Sequence, residues 1–183
     1  MDQIDYRHIA QQFKEKLALI KVFLVDVDGV LTDGKISYFG NEVGFNRSFH
    51  AKDGYGFKML AMAGLKVGFI SGGDSIGVIK RSDYLRLDYS FLGNEDKRQA
   101  YQKVLDDGYS DSEILYIGDE FFDLPLLRRA GFSATVPNSS HEIQEAVDYV
   151  THCSAGEGAV REVIDLLRYV QGIVPDIPDF GDM

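Results

Sequence analysis

Apolar and polar positions along this chain fall into short blocks that switch between a strand-like and a helix-like pattern. Short apolar runs bounded by turn-forming residues predict strands at about residues 21–26, 67–71, 89–92, 114–118, 132–136 and 149–151. Segments with apolar residues every three or four positions predict helices within 1–19, before Gly64, and at about 75–86, 96–107, 122–130, 140–146 and 157–171. Strands that alternate with helices predict an α/β fold with a doubly wound parallel sheet.

Two segments depart from this alternation. Residues 34–50 contain two β-rich runs around a turn at Gly40-Asn41, which predicts a small β-hairpin inserted after the first strand. From Gly172 onward, prolines and acidic residues predict an irregular tail over residues 172–183. Neither segment is long enough to form a second domain, so residues 1–183 are predicted to be a single domain.

The composition narrows the class of protein. The chain has 183 residues and a formal net charge of −10, which argues against nucleic-acid binding because that binding depends on basic contacts to phosphates. Its apolar runs are shorter than the roughly 18–20 residues that span a bilayer, and its N-terminus is polar and acidic, unlike a signal peptide. A lone cysteine, Cys153, excludes an internal disulfide. We therefore expect a cytoplasmic protein that binds neither nucleic acid nor membrane.

Two acidic residues stand where the first predicted strand ends. Asp26 and Asp28 follow the apolar run 22–25 and precede Gly29 and Thr32. The carboxyl ends of parallel strands are where open α/β sheets bind ligands. A pair of carboxylates there is costly to desolvate without a cation or a reaction that uses it. The Asp-x-Asp-Gly-x-x-Thr pattern therefore predicts a nucleophile for magnesium-dependent phosphoryl transfer.

Other strand ends place further reactive groups at the same edge of the sheet. Ser71 and Gly72 end one strand, Asp119 follows another, and Lys97 lies near the start of a helix, with Asp123 four residues after Asp119. Taken singly, each has an ordinary structural explanation, such as a turn, a helix cap or a solvated helix face. Their shared placement at one edge is what favours a catalytic site.

Phosphoryl transfer gives the acidic residues distinct predicted roles. Asp26 attacks phosphorus and forms an aspartyl-phosphate intermediate, whereas Asp28 protonates the leaving alkoxide and later activates water. Asp26, Asp119 and Asp28, the last through its backbone carbonyl, are the predicted Mg²⁺ ligands. Asp123 is predicted to support the site by orienting Lys97 or a metal-bound water.

The remaining groups are predicted to bind the phosphoryl group. Ser71 and the Gly72 amide contact the phosphoryl oxygens, and Lys97 offsets the negative charge of the transition state.

In their order and spacing these motifs resemble those of the haloacid dehalogenase (HAD) superfamily of aspartate-nucleophile phosphatases. The matching segments are 26–32, Ser71-Gly72, Lys97 and 118–123. More narrowly, the chain is similar to the 3-deoxy-D-manno-octulosonate 8-phosphate phosphatase family, on the evidence of residues 28–34, the hairpin, 52–56, Asp96-Lys97 and 156–162. The resemblance covers about residues 20–171. It implies a Rossmann-like HAD core with a small hairpin and no large cap domain. It also implies a Mg²⁺-dependent phosphoric monoester hydrolase for a small acidic sugar phosphate of lipopolysaccharide biosynthesis.

The same resemblance implies a homotetramer in which the hairpins meet and neighbouring subunits help to cover each active site. A chain without a cap needs another way to shield an acyl phosphate from water. Tyr38, Phe39, Phe45 and Phe49 give the hairpin much apolar surface for its size. The alternative is that these rings pack onto their own domain.

The chain departs from the family pattern at Gly73. The resemblance implies an arginine after the second motif, placed to meet the sugar acid, and glycine removes that bidentate partner. A related group that acts on a nine-carbon keto-deoxy sugar acid 9-phosphate has glutamate there, so glycine matches neither. Lys52 and Arg161 are candidates for the substrate's acidic end, although either can instead form a structural ion pair. The sequence thus favours the eight-carbon substrate and leaves the nine-carbon one as an alternative.

Two non-enzymatic functions compete with phosphatase activity. A receiver-like signalling domain also presents a phosphorylatable aspartate at a strand end, but the acid–base candidate Asp28 and the hairpin argue against it. A catalytically silent oligomerisation domain predicts loss of at least one of the four motifs, and all four are present. A phosphomutase is disfavoured because the chain has no insertion long enough for a cap.

Overall fold

The computed structural model describes residues 4–179 and contains a parallel six-stranded sheet with helices on both faces. The sheet strands are β1 Val22–Val25, β4 Lys66–Ser71, β5 Tyr89–Leu92, β6 Ile114–Ile117, β7 Phe132–Thr135 and β8 Tyr149–Val150. An antiparallel hairpin contains β2 Ser37–Tyr38 and β3 Phe45–Asn46. The helices are α1 Tyr6–Gln12, α2 Lys14–Leu17, α3 Ala51–Met62, α4 Ile76–Leu85, α5 Arg98–Asp106, α6 Leu124–Leu127, α7 His141–Gln144 and α8 Ala159–Gln171, with 3₁₀ turns at Asp111–Glu113 and Phe121–Asp123. The predicted α/β class is confirmed.

The strand order creates a reversal in the middle of the sheet. From edge to edge the order is β5-β4-β1-β6-β7-β8, so the chain first builds outward from β1 to β5 and then returns to the other side of β1. Val25 at the end of β1 lies opposite Phe69 of β4 and Ile117 of β6. The crevice beyond the carboxyl ends of β1 and β6 is the topological switch point, where sheets of this kind bind ligands.

Alternation along the strands divides the core into two layers. In β1, Phe23 and Val25 face the layer covered by α1, α3, α4 and α8, whereas Val22 and Leu24 face the layer covered by α5, α6 and α7. Because both faces are buried, the strand reads as a continuous apolar run in the sequence. The sheet is therefore a rigid platform for the residues that follow its strands.

The sequence pattern predicts a single N-terminal helix, whereas the structure has two, α1 and α2, separated by Phe13. Asp5 begins α1 by accepting backbone N–H hydrogen bonds from the first turn. Phe13 leaves helical geometry, and its ring packs edge-on against Phe132 and Tyr149, with centroids 5.2 and 5.9 Å away. The break thus places Phe13 against the edge of the sheet. Residues 1–3 lie outside the described part of the chain.

The hairpin is present but its strands are only two residues each. The rings of Tyr38, Phe39 and Phe45 are exposed, whereas Phe49 packs against the core. Of the two alternatives that the sequence left open for these rings, packing onto the parent domain is the one that applies to Phe49.

The tail follows α8 without regular secondary structure over residues 173–179, and residues 180–183 lie outside the described part. Within residues 4–179, no helix is both long enough and apolar enough to cross a lipid bilayer.

Candidate active site

The ends of β1, β4 and β6 place three of the predicted site residues at the switch point. Asp26 follows β1 directly, Ser71 is the last residue of β4, and Asp119 comes two residues after β6. Asp26, Asp119 and Asp123 each offer a carboxylate oxygen, and these oxygens lie within 4.8 Å of one another. The structure thus brings together carboxylates that are up to 97 residues apart in the chain.

Gly29 allows the turn after β1 to approach Asp119 closely. The chain reverses over a wide turn, Val27–Leu31, and Gly29 has a φ of +85°. A Cβ atom on Gly29 would lie 2.1 Å from Oδ2 of Asp119. Glycine is therefore required by both its backbone conformation and its contact with Asp119.

Lys97 is buried among the carboxylates. It caps the start of α5, and its side chain is fully excluded from solvent. Its Nζ atom lies 2.9 Å from Oδ1 of Asp26 and 2.6 Å from Oδ1 of Asp123, and 4.5 Å from the centroid of the Phe122 ring. The predicted proximity of Lys97 to the nucleophile candidate is present in the structure, and the contact with Asp123 fits the supporting position expected for that residue.

Asp123 is held from both sides. Its Oδ2 atom accepts the backbone N–H groups of Asp119 and Glu120, each at 3.1 Å, and its Oδ1 atom accepts from Lys97 and from the hydroxyl of Tyr116. Asp123 therefore fixes both the loop that carries Asp119 and the ammonium group of Lys97. Sequence analysis missed Tyr116, whose signal is a lone hydroxyl in the apolar strand β6.

Burial makes this carboxylate cluster unfavourable in its ionised form. Desolvation raises the pKa of Asp26 well above its ordinary range, with Lys97 opposing that rise. Desolvation, followed by the neighbouring Asp123, raises the pKa of Asp119 to about 7. A divalent cation between the carboxylates would remove this repulsion and favour the ionised forms.

The donor set fits Mg²⁺. The Oδ1 atom of Asp119 is buried and has no hydrogen-bond partner among the described residues. Asp123 has both oxygens occupied by donors, which leaves Asp26 and Asp119 as the carboxylates that remain open to an ion. Hard carboxylate oxygens are the ligands that Mg²⁺ prefers. The carboxylate of Asp28 accepts hydrogen bonds from Arg47 instead, so only the backbone carbonyl of Asp28 is a candidate ligand.

Asp28 is paired with Arg47 from the hairpin. The Nε and Nη2 atoms of Arg47 both donate to the Asp28 carboxylate, with 2.7 Å between Nη2 and Oδ2. The Nη1 atom donates to the hydroxyl of Ser75 at 2.8 Å. Sequence analysis missed Arg47, although it is the only lysine or arginine in the second β-rich run of the hairpin, residues 45–50.

The loop after β4 lies beside this pair. Ser71 is buried, and its hydroxyl accepts the backbone N–H of Gly73 at 3.1 Å. Gly72 follows it at the strand end, so the predicted phosphate-binding pair is adjacent to Asp26 in the sheet order. The backbone of Gly73 faces Arg47 and Asp28: a Cβ atom there would lie 2.8 Å from Nη2 of Arg47.

Lys52 and Arg161 lie on α3 and α8. Lys52 is exposed in the first turn of α3. Arg161 donates from its Nε to Asp165 at 3.0 Å and lies over the ring of Tyr55. Its backbone N–H donates to the buried Asp53 at 2.8 Å. The side chain of Arg161 therefore forms a structural ion pair with Asp165, which is one of the two roles that the sequence allowed. Its backbone contact with Asp53 joins α8 to α3.

The arrangement as a whole suits phosphoryl transfer. A buried carboxylate, Asp26, faces a buried cation, Lys97, and a carboxylate oxygen of Asp119 that has no partner in the described part of the chain and can hold a metal ion. Hydroxyl and backbone N–H groups of Ser71 and Gly72 lie at the neighbouring strand end. Such groups can bind and neutralise the oxygens of a phosphoryl group at an attacking carboxylate.

Comparisons with known proteins agree with this chemistry. The family model of haloacid dehalogenase-like hydrolases matches residues 92–164. The chain is 38% identical over 160 residues to a 3-deoxy-D-manno-octulosonate 8-phosphate phosphatase of Haemophilus influenzae, covering 87% of this chain and 88% of that protein. The corresponding phosphatase of Salmonella typhi is 33% identical over 168 residues, covering 91% and 89%.

Solved structures show the same architecture. The phosphatase of Moraxella catarrhalis, crystallised with a magnesium ion, a phosphate ion and a KDO molecule, superposes with a TM-score of 0.84 at 35% identity, covering 88% of this chain and 93% of that one. A cobalt-bound phosphatase of H. influenzae superposes with a TM-score of 0.80 at 37% identity, covering 86% and 92%. The structural match therefore spans nearly the whole domain.

Proposed function

Because the chain belongs to the 3-deoxy-D-manno-octulosonate 8-phosphate phosphatase family of haloacid dehalogenase-like hydrolases, we propose that it removes the phosphate of this eight-carbon sugar acid. The predicted family and enzyme class, a phosphoric monoester hydrolase, are confirmed by the relatives. The products are the free sugar acid and inorganic phosphate.

One structural observation carries the proposal. The buried carboxylate of Asp26 lies at the switch point, with Lys97 Nζ 2.9 Å from its Oδ1 atom. The Oδ1 atom of Asp119, which has no hydrogen-bond partner within residues 4–179, belongs to the same cluster. A structural core has no need for three carboxylates and one ammonium group at a strand end, whereas phosphoryl transfer uses each of them.

The chain's residues divide the reaction into two steps. In the first, an oxygen of Asp26 attacks phosphorus, the bond from phosphorus to the ester oxygen breaks, and Asp28 gives a proton to that oxygen. In the second, Asp28 takes a proton from water, the water oxygen attacks phosphorus, and the Asp26 carboxylate leaves. Lys97, Ser71 and the Gly72 amide bind the phosphoryl oxygens throughout.

Asp26, Asp119 and the backbone carbonyl of Asp28 would hold Mg²⁺ in this site. When bound, the ion supplies positive charge that neutralises the phosphoryl oxygens and keeps the carboxylates ionised. Asp123 acts as a positioning residue, since its oxygens are occupied by Lys97, Tyr116 and the backbone of the Asp119 loop.

The proposal extends to assembly and location. The exposed rings of Tyr38, Phe39 and Phe45 support an interface between hairpins of neighbouring subunits, in a homotetramer that covers each site. The lone cysteine supports a cytoplasmic location, and the similarity to the octulosonate phosphatases supports a role in lipopolysaccharide biosynthesis.

A substrate panel tests the function. Purified protein with Mg²⁺ is assayed for phosphate release from the eight-carbon and nine-carbon keto-deoxy sugar acid phosphates and from neutral sugar phosphates. We expect many turnovers per chain and the highest kcat/KM for the eight-carbon acid. A preference for the nine-carbon acid would correct the substrate, and labelling of the protein without turnover would favour a receiver-like domain.

The nucleophile is tested by Asp26→Asn. The variant should keep the far-UV circular dichroism of the wild type and lose at least about a thousandfold in kcat, because an amide does not form the acyl phosphate. The matched control is Asp106→Asn, which changes an exposed aspartate at the end of α5 and should retain activity. Substantial turnover by Asp26→Asn would refute the mechanism.

A further inference from the structure

Arg47 reaches the active site from outside the sheet. It follows β3 of the hairpin, and its side chain is only 6% exposed although the neighbouring rings of the hairpin are exposed. Three of its nitrogen atoms donate hydrogen bonds, two to Asp28 and one to Ser75. A guanidinium group held in this way presents a fork that matches a carboxylate.

The absence of a side chain at Gly73 creates the space for this guanidinium. A Cβ atom on Gly73 would lie 2.8 Å from Nη2 of Arg47 and 3.2 Å from Oδ2 of Asp28. A side chain at this position would therefore require the Arg47 guanidinium to shift. Gly73 and Arg47 are therefore complementary, and the loop after β4 receives its cationic group from the hairpin.

The same guanidinium borders a cavity of about 360 Å³ between the hairpin and the start of α4. Phe45, Gly73, Asp74, Ser75 and Ile76 are among the residues that line it, and Arg47 is the only lysine or arginine in the described lining. An anionic ligand in this cavity would meet the acidic side chain of Asp74 and one cation. Arg47 is thus the group that can bind the ligand's negative charge there.

We propose that Arg47 exchanges partners when substrate binds: its guanidinium moves away from Asp28 and pairs with the carboxylate of the sugar acid. The inference rests on the phosphatase function proposed above. The guanidinium exchanges one carboxylate partner for another. The hydrogen bonds that Arg47 loses with Asp28 are regained with the substrate, so the net change in the hydrogen bonding of Arg47 is small. Flexible methylene groups of arginine allow the guanidinium to turn from Asp28 into the adjoining cavity.

The exchange couples substrate recognition to acid–base chemistry. While Arg47 holds Asp28, both carboxylate oxygens of Asp28 accept N–H groups from the guanidinium. A substrate with a carboxylate draws Arg47 away and frees Asp28, whereas a neutral phosphate ester leaves the pair in place. Arg47 is therefore a specificity-determining residue that selects acidic sugar phosphates through kcat as well as through binding.

The test compares Arg47→Gln, Arg47→Lys and Lys35→Gln on two phosphates with Mg²⁺. Lys35→Gln is the matched control because it removes a cation of the same hairpin that pairs with the exposed Asp33. With 3-deoxy-D-manno-octulosonate 8-phosphate, we expect kcat/KM of Arg47→Gln to fall about 10- to 100-fold. With glucose 6-phosphate, which has no carboxylate and whose leaving alkoxide needs a proton, we expect kcat to rise because Asp28 is released. Arg47→Lys keeps the charge but not the fork and should fall between the wild type and Arg47→Gln.

A second measurement does not depend on turnover. Titration calorimetry of the free sugar acid into the Mg²⁺-loaded protein should give a dissociation constant that rises about 10- to 100-fold in Arg47→Gln. The control variant should bind as the wild type does. An unchanged dissociation constant, or equal losses of kcat/KM on both phosphates, would overturn the exchange.

Failure of the proposed function has a different signature. In that case the wild type hydrolyses neither ester, while the titration still decides whether Arg47 binds the sugar acid. Circular dichroism of each variant separates loss of binding from loss of folding.

Discussion

Lys97 and Asp123 form an ion pair with 2.6 Å between Nζ and Oδ1, and both side chains are fully excluded from solvent. Lys97 has a second partner in Asp26, whereas Asp123 has the Tyr116 hydroxyl and two backbone N–H groups. The pair is therefore asymmetric: the Lys97 ammonium group is shared between two carboxylates, whereas the Asp123 carboxylate also fixes the loop that carries Asp119.

This asymmetry predicts unequal effects of removing each partner. Lys97→Met leaves Asp26 and Asp123 facing each other without a cation, and we expect a loss of about 3–5 kcal/mol in the free energy of unfolding. Asp123→Asn leaves Lys97 paired with Asp26 and should cost less. Urea unfolding at neutral pH with chelator measures both losses. The control is Lys103→Met, which removes an exposed ion pair with Asp107 at the end of α5. A larger loss for Asp123→Asn would contradict the asymmetry.

Stabilisation by Mg²⁺ is predicted to depend on pH through Asp119. Burial raises the pKa of this carboxyl group from 3.8 to about 7, so in the metal-free protein its contribution to stability falls as the pH rises from 3.8 through 7. Mg²⁺ binds the ionised form, and at 100 times its Kd it should add about 2.7 kcal/mol.

The increase of Tm on adding Mg²⁺ should therefore be larger at pH 8 than at pH 5.5. Asp119→Asn should abolish the increase at both values, while Asp106→Asn should preserve it. An equal increase at the two pH values, or an increase that persists in Asp119→Asn, would show that the ion stabilises the protein from another place.

Asp53, which lies outside the catalytic cluster, is expected to make the free energy of unfolding depend on pH. Burial raises the pKa of this carboxyl group from 3.8 to about 6, and its Oδ2 atom is buried without a hydrogen-bond partner among the described residues. Because the folded state binds the proton more tightly, stability falls as the pH rises from 3.8 through 6 and stays lower above it.

Asp53→Asn removes this penalty and keeps an oxygen for the Arg161 N–H. We expect the variant to be more stable than the wild type at pH 8, by up to about 3 kcal/mol, and the difference to disappear below pH 4. Chemical unfolding at the two pH values measures it. A constant difference between pH 4 and pH 8 would mean that ionisation of Asp53 is not its cause.

The proposed assembly predicts that charges on the hairpin reduce the molecular mass in solution. Phe39 and Phe45 are 62% and 57% exposed, and changing both to glutamate would place negative charges in an apolar interface. Light scattering should then report a species smaller than the wild type. Leu19→Glu, at an exposed position just before β1, is the control and should leave the mass unchanged. An unchanged mass for the hairpin variant would refute the interface.

Local sequence pattern was enough to predict the sheet and the residues at its strand ends. Runs such as Val22–Val25 are apolar at every position because both faces of the central strand are buried, and this leaves a clear signal. Asp26, Ser71 and Asp119 could be placed together because the carboxyl ends of parallel strands share one edge. The break at Phe13 and the short hairpin strands depended on packing that the periodicity does not contain.

The partners of these residues could not be predicted in the same way. Arg47 and Asp28 are 19 residues apart, and their contact depends on how the hairpin leans toward the loop after β4. Tyr116 has the sequence context of a buried strand residue, and the contact of its hydroxyl with Asp123 depends on the path of the loop after β6. Gly73 gave a clear signal of a missing arginine, but the sequence did not show that Arg47 places a guanidinium beside it.

The sequence by itself determined which groups stand at the carboxyl edge of the sheet, because strand periodicity and chain order are local properties. Only the tertiary structure decided which of those groups touch: Lys97 with Asp26 and Asp123, and Arg47 with Asp28. Such contacts depend on turn geometry and side-chain rotamers that are fixed when distant segments pack together. The motifs therefore indicate the groups that phosphate removal needs, whereas the contact between the hairpin and the strand ends is decided by the fold.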